Sequence, residues 1–240
     1  VILELTGPSG SGKTTLRERI VDRGEGLLQR ADEVLLAGPA EGPGGERTRN
    51  LRLDLRVLPH AVPELVLQRR VLFAVWRLAW GTRPSPERWC AILRSCARKL
   101  VLGRLLAKWE RWRTWVVVDE GVEHLLQVAA CNGRQTPPAH LLLQLARRLP
   151  STATLCLVTA EVAVLVRRVL ARPDRPLRGA SLEELARFLA RSLWVTRAVE
   201  SRLPGRHHLV VDGTVAGQAG LVISRLRSML AHDRCGSRPR

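Results

Sequence analysis

The chain has 240 residues, 45% of them hydrophobic, which is enough for one substantial core and excludes a disordered polymer. Its net charge of +17 comes almost wholly from arginine, with Lys13, Lys99 and Lys108 as its lysines. That charge is spread along the chain, which fits a solvated basic surface or the handling of a small anion better than nucleic-acid or membrane-surface binding. No uninterrupted apolar stretch reaches the roughly 18–20 residues of a membrane span.

The chain opens on an apolar run, Val1 to Leu5, suited to a buried parallel strand. Gly7-Pro8-Ser9-Gly10-Ser11-Gly12-Lys13-Thr14-Thr15 follows and matches G-x-x-x-x-G-K-[ST] in full. The glycines let the backbone curl so that successive N–H groups point inward at the start of a helix, making an anion nest. Lys13, expected as a surface-loop cation, reaches the β and γ phosphates of a nucleotide, and the Thr14 hydroxyl enters a Mg²⁺ shell. Residues 7–15 are therefore cofactor-binding candidates for ATP or GTP. An amphipathic helix is predicted over 12–22, with Leu16 and Ile20 on one face.

Residues 24–50 carry an apolar patch (Val34 to Leu36) and a Gly/Pro-dense loop. Leu51 to Val57 alternates as a strand would, and equally suits a helix that Pro59 interrupts. From Pro63 to Arg113 the period is helical. One predicted helix carries Leu65, Leu72, Trp76 and Trp80. A second starts at Ser85-Pro86 and carries Trp89, Leu93, Cys96 and Leu100. The tryptophans are expected in the core. The helices suit either an acceptor-binding insertion or a plain covering layer.

Trp115 to Asp119 reads as a buried strand whose end, Asp119-Glu120, opens onto a site. Asp119 suits the Mg²⁺ shell opposite Thr14, and Glu120 suits orientation of a nucleophile. Glu120 also suits a surface ion pair with an arginine, and His124 approaches Glu120 if a helix begins here but is otherwise expected as an exposed histidine. A helix follows Thr136-Pro137-Pro138, then a strand over 152–158, then a helix from Glu161. That helix ends in an arginine-rich, Pro-broken stretch, 167–180, which suits a lid that closes over phosphates and stabilises charge. Ser181 to Glu184 is a capping box opening the next helix. A last strand over 207–211, the turn Asp212-Gly213-Thr214, a closing helix over 215–230 and a polar, frayed tail over 232–240 complete the chain. Strands alternating with helices predict a single α/β domain, a parallel sheet with helices on both faces. Five cysteines, odd in number and without C-x-x-C, and the lack of a signal-peptide pattern point to reduced thiols in the cytoplasm.

GPSGSGKTT after a strand, then VVVDEG, then LVRRVLARPDR after a strand and helix, then VVDGT, resembles the thymidylate kinase and deoxynucleoside kinase branch of the P-loop kinases. The resemblance covers roughly 1–23 and 115–230. It implies the P-loop NTPase fold; residues 24–114 lie outside the resemblance, and the placement of their helices is what suits them to be the acceptor-binding region. It also implies that Arg168, Arg172 and Arg175 clasp the donor phosphates and that Asp212, Gly213 and Thr214 line the adenine. The Asp-Arg pair that holds the acceptor monophosphate in thymidylate kinases has a poor match here, Asp54 and Arg56 being separated by Leu55. The expected activity is transfer of the γ-phosphoryl group of Mg-ATP to a small-molecule acceptor. Lys13, Asp119, Glu120, Arg168 and Arg172 are the catalytic candidates, and Thr14 and Asp119 the metal-binding ones. A nucleotide-gated regulator with a macromolecular partner is the alternative. A homodimer stays open.

Overall fold

The computed structural model describes residues 2–24, 28–31, 34, 59, 62–109, 115–133, 135–149, 153–172, 177, 179–202, 208–212, 219–225 and 227–228. In chain order the elements are β1 (Ile2–Thr6), α1 (Lys13–Arg23), β2 (Leu28–Arg30), α2 (Arg69–Thr82), α3 (Pro86–Trp109) and β3 (Trp115–Asp119). They continue with α4 (His124–Cys131), α5 (Ala139–Arg148), β4 (Ala153–Thr159), α6 (Val162–Leu170), α7 (Leu182–Arg202) and β5 (His208–Asp212). Residues 62–67 and 219–225 are also helical.

The five strands lie in the order β2-β3-β1-β4-β5, and every pairing is parallel. Pleating sends alternate side chains of β1 to opposite faces. Leu3 and Leu5 pack with Leu16 and Ile20 of α1 and with Ala219, Val222 and Ile223. Ile2 packs the other way, with Val116 and Val118 of β3 and Leu106 of α3. Helices therefore cover both faces, as the alternating pattern predicts. A further cluster joins α2, α3, α4 and α5 through residues such as Val75, Leu78, Ile92, Leu125 and Leu142. The capping box forms as read: Glu184 N–H donates to Ser181 Oγ (3.2 Å), and Ser181 N–H to Glu184 Oε2 (2.9 Å).

Three expectations change. β2 has three residues, too few for a periodic signal, and is a strand because β3 pairs with it. On α2 the packed face is Val71, Ala74, Val75, Leu78 and Ala79, while Trp76 and Trp80 lie on the opposite, exposed face. On α3 the buried residues include Ile92, Cys96 and Leu100; Leu93 is exposed and Trp89 only partly buried. The alternating stretch 51–57, the Gly/Pro loop and the tail lie outside the described residues.

Cys96, Cys131 and Cys156 are free and buried, and burial pushes each thiol up to about 12, so they are inert at neutral pH. Among the described residues, no helix is long and apolar enough to cross a membrane.

Candidate active site

The site lies at the C-terminal ends of β1 and β3, where the chain switches from one half of the sheet to the other. Gly7, Gly10 and Gly12 take φ values of 151°, 82° and 97°, which side chains resist. The loop is also wedged in place. A Cβ on Gly7 would stand 2.1 Å from the carbonyl oxygen of Val158 on β4, and one on Gly10 would stand 3.0 Å from that of Leu165 on α6. Gly7→Ala is therefore expected to cost roughly 3 kcal/mol and to lower Tm by on the order of 10 °C. A thermal melt indistinguishable from wild type would show that the loop yields freely.

Lys13 departs from the surface-loop expectation. It is buried, and its Nζ donates to the carbonyls of Gly7 (2.8 Å) and Pro8 (3.0 Å) while lying 3.5 Å from Glu120 Oε1. Thr14 Oγ1 donates to Asp119 Oδ2 at 3.1 Å, joining residues 105 positions apart. The register explains this, since Leu5 pairs with Asp119 and both strands end at one level. Arg17 NH1 lies 3.7 Å from the same Asp119 oxygen, on the next turn of α1. Burial, then the charge of Glu120, raises the Asp119 pKa, against Lys13, Arg17 and the Thr14 hydrogen bond.

Glu120, its side chain 42% exposed, pairs with Lys13 and His124 and, among the described residues, with no arginine. Its backbone holds φ 60°, its N–H donates to Leu5 O (3.0 Å), and its carbonyl accepts from Lys99 Nζ. Desolvation alone would raise its pKa. His124, in acid where its ring is charged, together with Lys13 and Lys99 outweighs that and holds the carboxyl well below the usual carboxylate range. His124 is not plainly exposed. Its Nε2 lies 3.6 Å from Glu120 Oε2, and burial pushes its pKa down to about 3, Glu120 opposing and Lys99 and Lys13 reinforcing, so the ring is neutral at pH 7.

Arg168, on the last turn of α6, donates through NH1 to the carbonyl of Gly10 at 3.3 Å. Arg172 is exposed just beyond that helix, as are the side chains of Thr14 and Thr15. Arg175, Gly213 and Thr214 lie outside the described residues. Of Asp212 only the backbone is described, paired with Thr159 at the end of β5.

No protein-family model and no curated protein sequence matches the chain. Among solved structures, a thymidylate kinase from Candida albicans is similar over 97% of this chain and 92% of its own, at 12% identity and a TM-score of 0.50. The chain has the P-loop kinase fold. A shikimate kinase from Acinetobacter baumannii, solved with shikimate, is similar over 97% of this chain and 93% of its own, at 13% identity and a TM-score of 0.45. One from Bacteroides thetaiotaomicron is similar over 96% and 98%, at 17% and 0.43.

Within this P-loop kinase fold, three residues at the site escape a reading of the sequence. Arg17 sits in an unremarkable helical turn. Glu4 lies inside the apolar run of β1, is buried, and accepts from the N–H of His124 at 3.2 Å. Gly121 makes room for it, since a Cβ there would stand 2.6 Å from Glu4 Oε2. Lys99 comes from the middle of α3. Burial lowers its pKa, opposed by Glu120 and Glu4. A lone acid in a strand and a rare lysine were the available signals for these two.

Proposed function

We propose that the chain is a phosphotransferase that moves the γ-phosphoryl group of Mg-ATP to a small-molecule acceptor, with nucleosides and nucleotides as the first class to test. The observation that carries this reading is the convergence of Lys13, Thr14, Asp119 and Glu120 at the mouth of the glycine loop. The site fits the nucleotide. The positive φ of Gly7, Gly10 and Gly12 curls the loop into a nest, and the buried Ser11 Oγ within it has no partner among the described residues. It also fits the metal. Asp119 Oδ1 is buried beside the Thr14 hydroxyl and has no hydrogen-bond partner among the described residues. Mg²⁺ needs few protein ligands, since it completes its shell with water and phosphate.

Thr14 and Asp119 would hold Mg²⁺, which when bound neutralises charge on the β and γ phosphates. Lys13 neutralises the charge that shifts toward the leaving phosphate. Arg168 reaches the loop from α6 and Arg172 is exposed just beyond that helix; by the sequence resemblance these two, with Arg175, would clasp the donor phosphates as a lid. The acceptor oxygen attacks the γ phosphorus, the bond from that phosphorus to the β–γ bridging oxygen breaks, and ADP departs. Glu120, held ionised, accepts a hydrogen bond from the acceptor hydroxyl and aims it. Its low pKa makes it a poor proton store; a loose transition state demands little early deprotonation, and the acceptor's proton leaves to water after the new O–P bond has formed. Lys99 positions Glu120 through its carbonyl. Residues 24–114 would supply the acceptor's side of the site within one working domain, and the reduced, inert thiols suit a cytosol.

The test is ATP consumption with Mg²⁺ across nucleosides, nucleoside monophosphates, sugars and polyols. The expected result is a slow basal rate stimulated strongly by one class. A flat panel would overturn the reading in favour of a nucleotide-gated regulator.

A further inference from the structure

Helix α2 and the helical turn before it form one run, joined by hydrogen bonds from Gln68 N–H to Glu64 O (2.8 Å) and from Leu72 N–H to Gln68 O (3.0 Å). One side of the run packs into the protein. The other is open, and its composition is unusual: every exposed position between 62 and 83 is apolar, aromatic or arginine. The one acid in that span, Glu64, is buried and paired with Arg104. Val62, Val66, Phe73, Trp76 and Trp80, with Arg69 among them, follow 4-3-4-3-4 spacing, which sets them in a single stripe about 27 Å long. Trp80 is 64% exposed and Val66 61%. Arg70 and Arg77 flank the stripe.

We propose that this face docks the protein on an anionic phospholipid bilayer, with α2 lying in the plane of the membrane interface. Tryptophan and phenylalanine gain most at the boundary between headgroups and acyl chains, and arginine forks onto lipid phosphate. A face with cations at its rim and no exposed acid complements a negative surface and opposes a second copy of this cationic chain. Single-stranded nucleic acid would also reward arginine and aromatics, but it needs free ring faces. Here Phe73 stacks on Trp76 (centroids 5.7 Å, 25°) and Trp76 leans on Trp80 (5.5 Å, 37°), so the rings partly cover one another's faces. The aliphatic half of the stripe gives bases nothing. This surface role goes beyond the phosphotransferase reading and stands independently of it.

The test is flotation of the full chain with phosphatidylglycerol-containing vesicles and with pure phosphatidylcholine vesicles. Binding to the anionic vesicles alone, weakened by salt, is expected. Trp76→Ser/Trp80→Ser should weaken it at least about tenfold with an unchanged thermal melt, because both rings lie outside the core. Arg69→Gln and Arg77→Gln should each weaken it about fivefold. Equal binding by the double tryptophan variant would reduce the effect to diffuse basic charge and overturn the proposal. So would the absence of vesicle binding, whether alone, with a dimer that the double variant dissociates, or with tight binding to single-stranded RNA.

Discussion

Replacing Lys13 with alanine should lower kcat by about 10³-fold or more, because the ammonium is the cation held inside the glycine loop, facing the charge that builds on the transferred and leaving phosphates. Its burial complicates the variant. The carbonyls of Gly7 and Pro8 accept from Nζ, and losing those bonds costs about 1 kcal/mol or more of stability. Lys13→Met keeps the aliphatic stem in place, so comparison of the two separates catalysis from folding. Both should be inactive, with the methionine variant melting closer to wild type. Single-turnover kinetics and thermal melts check this. Wild-type turnover in a folded Lys13→Met protein would remove the loop from the chemistry and with it the phosphotransferase reading.

The parts of this molecule that were legible in the sequence are those where the backbone itself restricts the residue. Positive φ at positions 7, 10 and 12 calls for glycine, and the spacing to Lys13 and Thr14 follows from where a helix must begin. The buried strands β1, β3 and β4 announce themselves as continuous apolar runs, and Asp119 marks the point where β3 meets solvent. What escaped depends on tertiary neighbours. Glu4 looks like an error in an apolar run until the topology brings His124 and Gly121 over it. Lys99 belongs to the site only because α3 crosses beside the end of β3. Helix α2 misleads for a steric reason. Both sides of it carry apolar residues at helical spacing, so periodicity cannot choose between them. Packing chose the side with Ala74 and Ala79, whose small side chains let α4 and α5 approach, and left the large rings outside.

The second large effect is expected at Glu120, where backbone and side chain act separately. An L-residue at φ 60° costs about 1–2 kcal/mol, and here a hydrogen bond to Leu5 and one from Lys99 keep it so. Glu120→Gln preserves shape and removes the charge that would aim the acceptor, so kcat should fall about 10²-fold with the KM for ATP near wild type. Glu120→Ala and Glu120→Gly should lose similar activity, but the glycine variant should be the more stable of the pair by about 1 kcal/mol, roughly 2–4 °C in Tm, since only it relieves the left-handed backbone. Equal melting of the two would mean that the backbone there stores no strain. A Glu120→Gln enzyme with wild-type kcat would mean that the carboxylate does not touch the acceptor, leaving Asp119 as the acid that matters and Lys99 as a structural anchor.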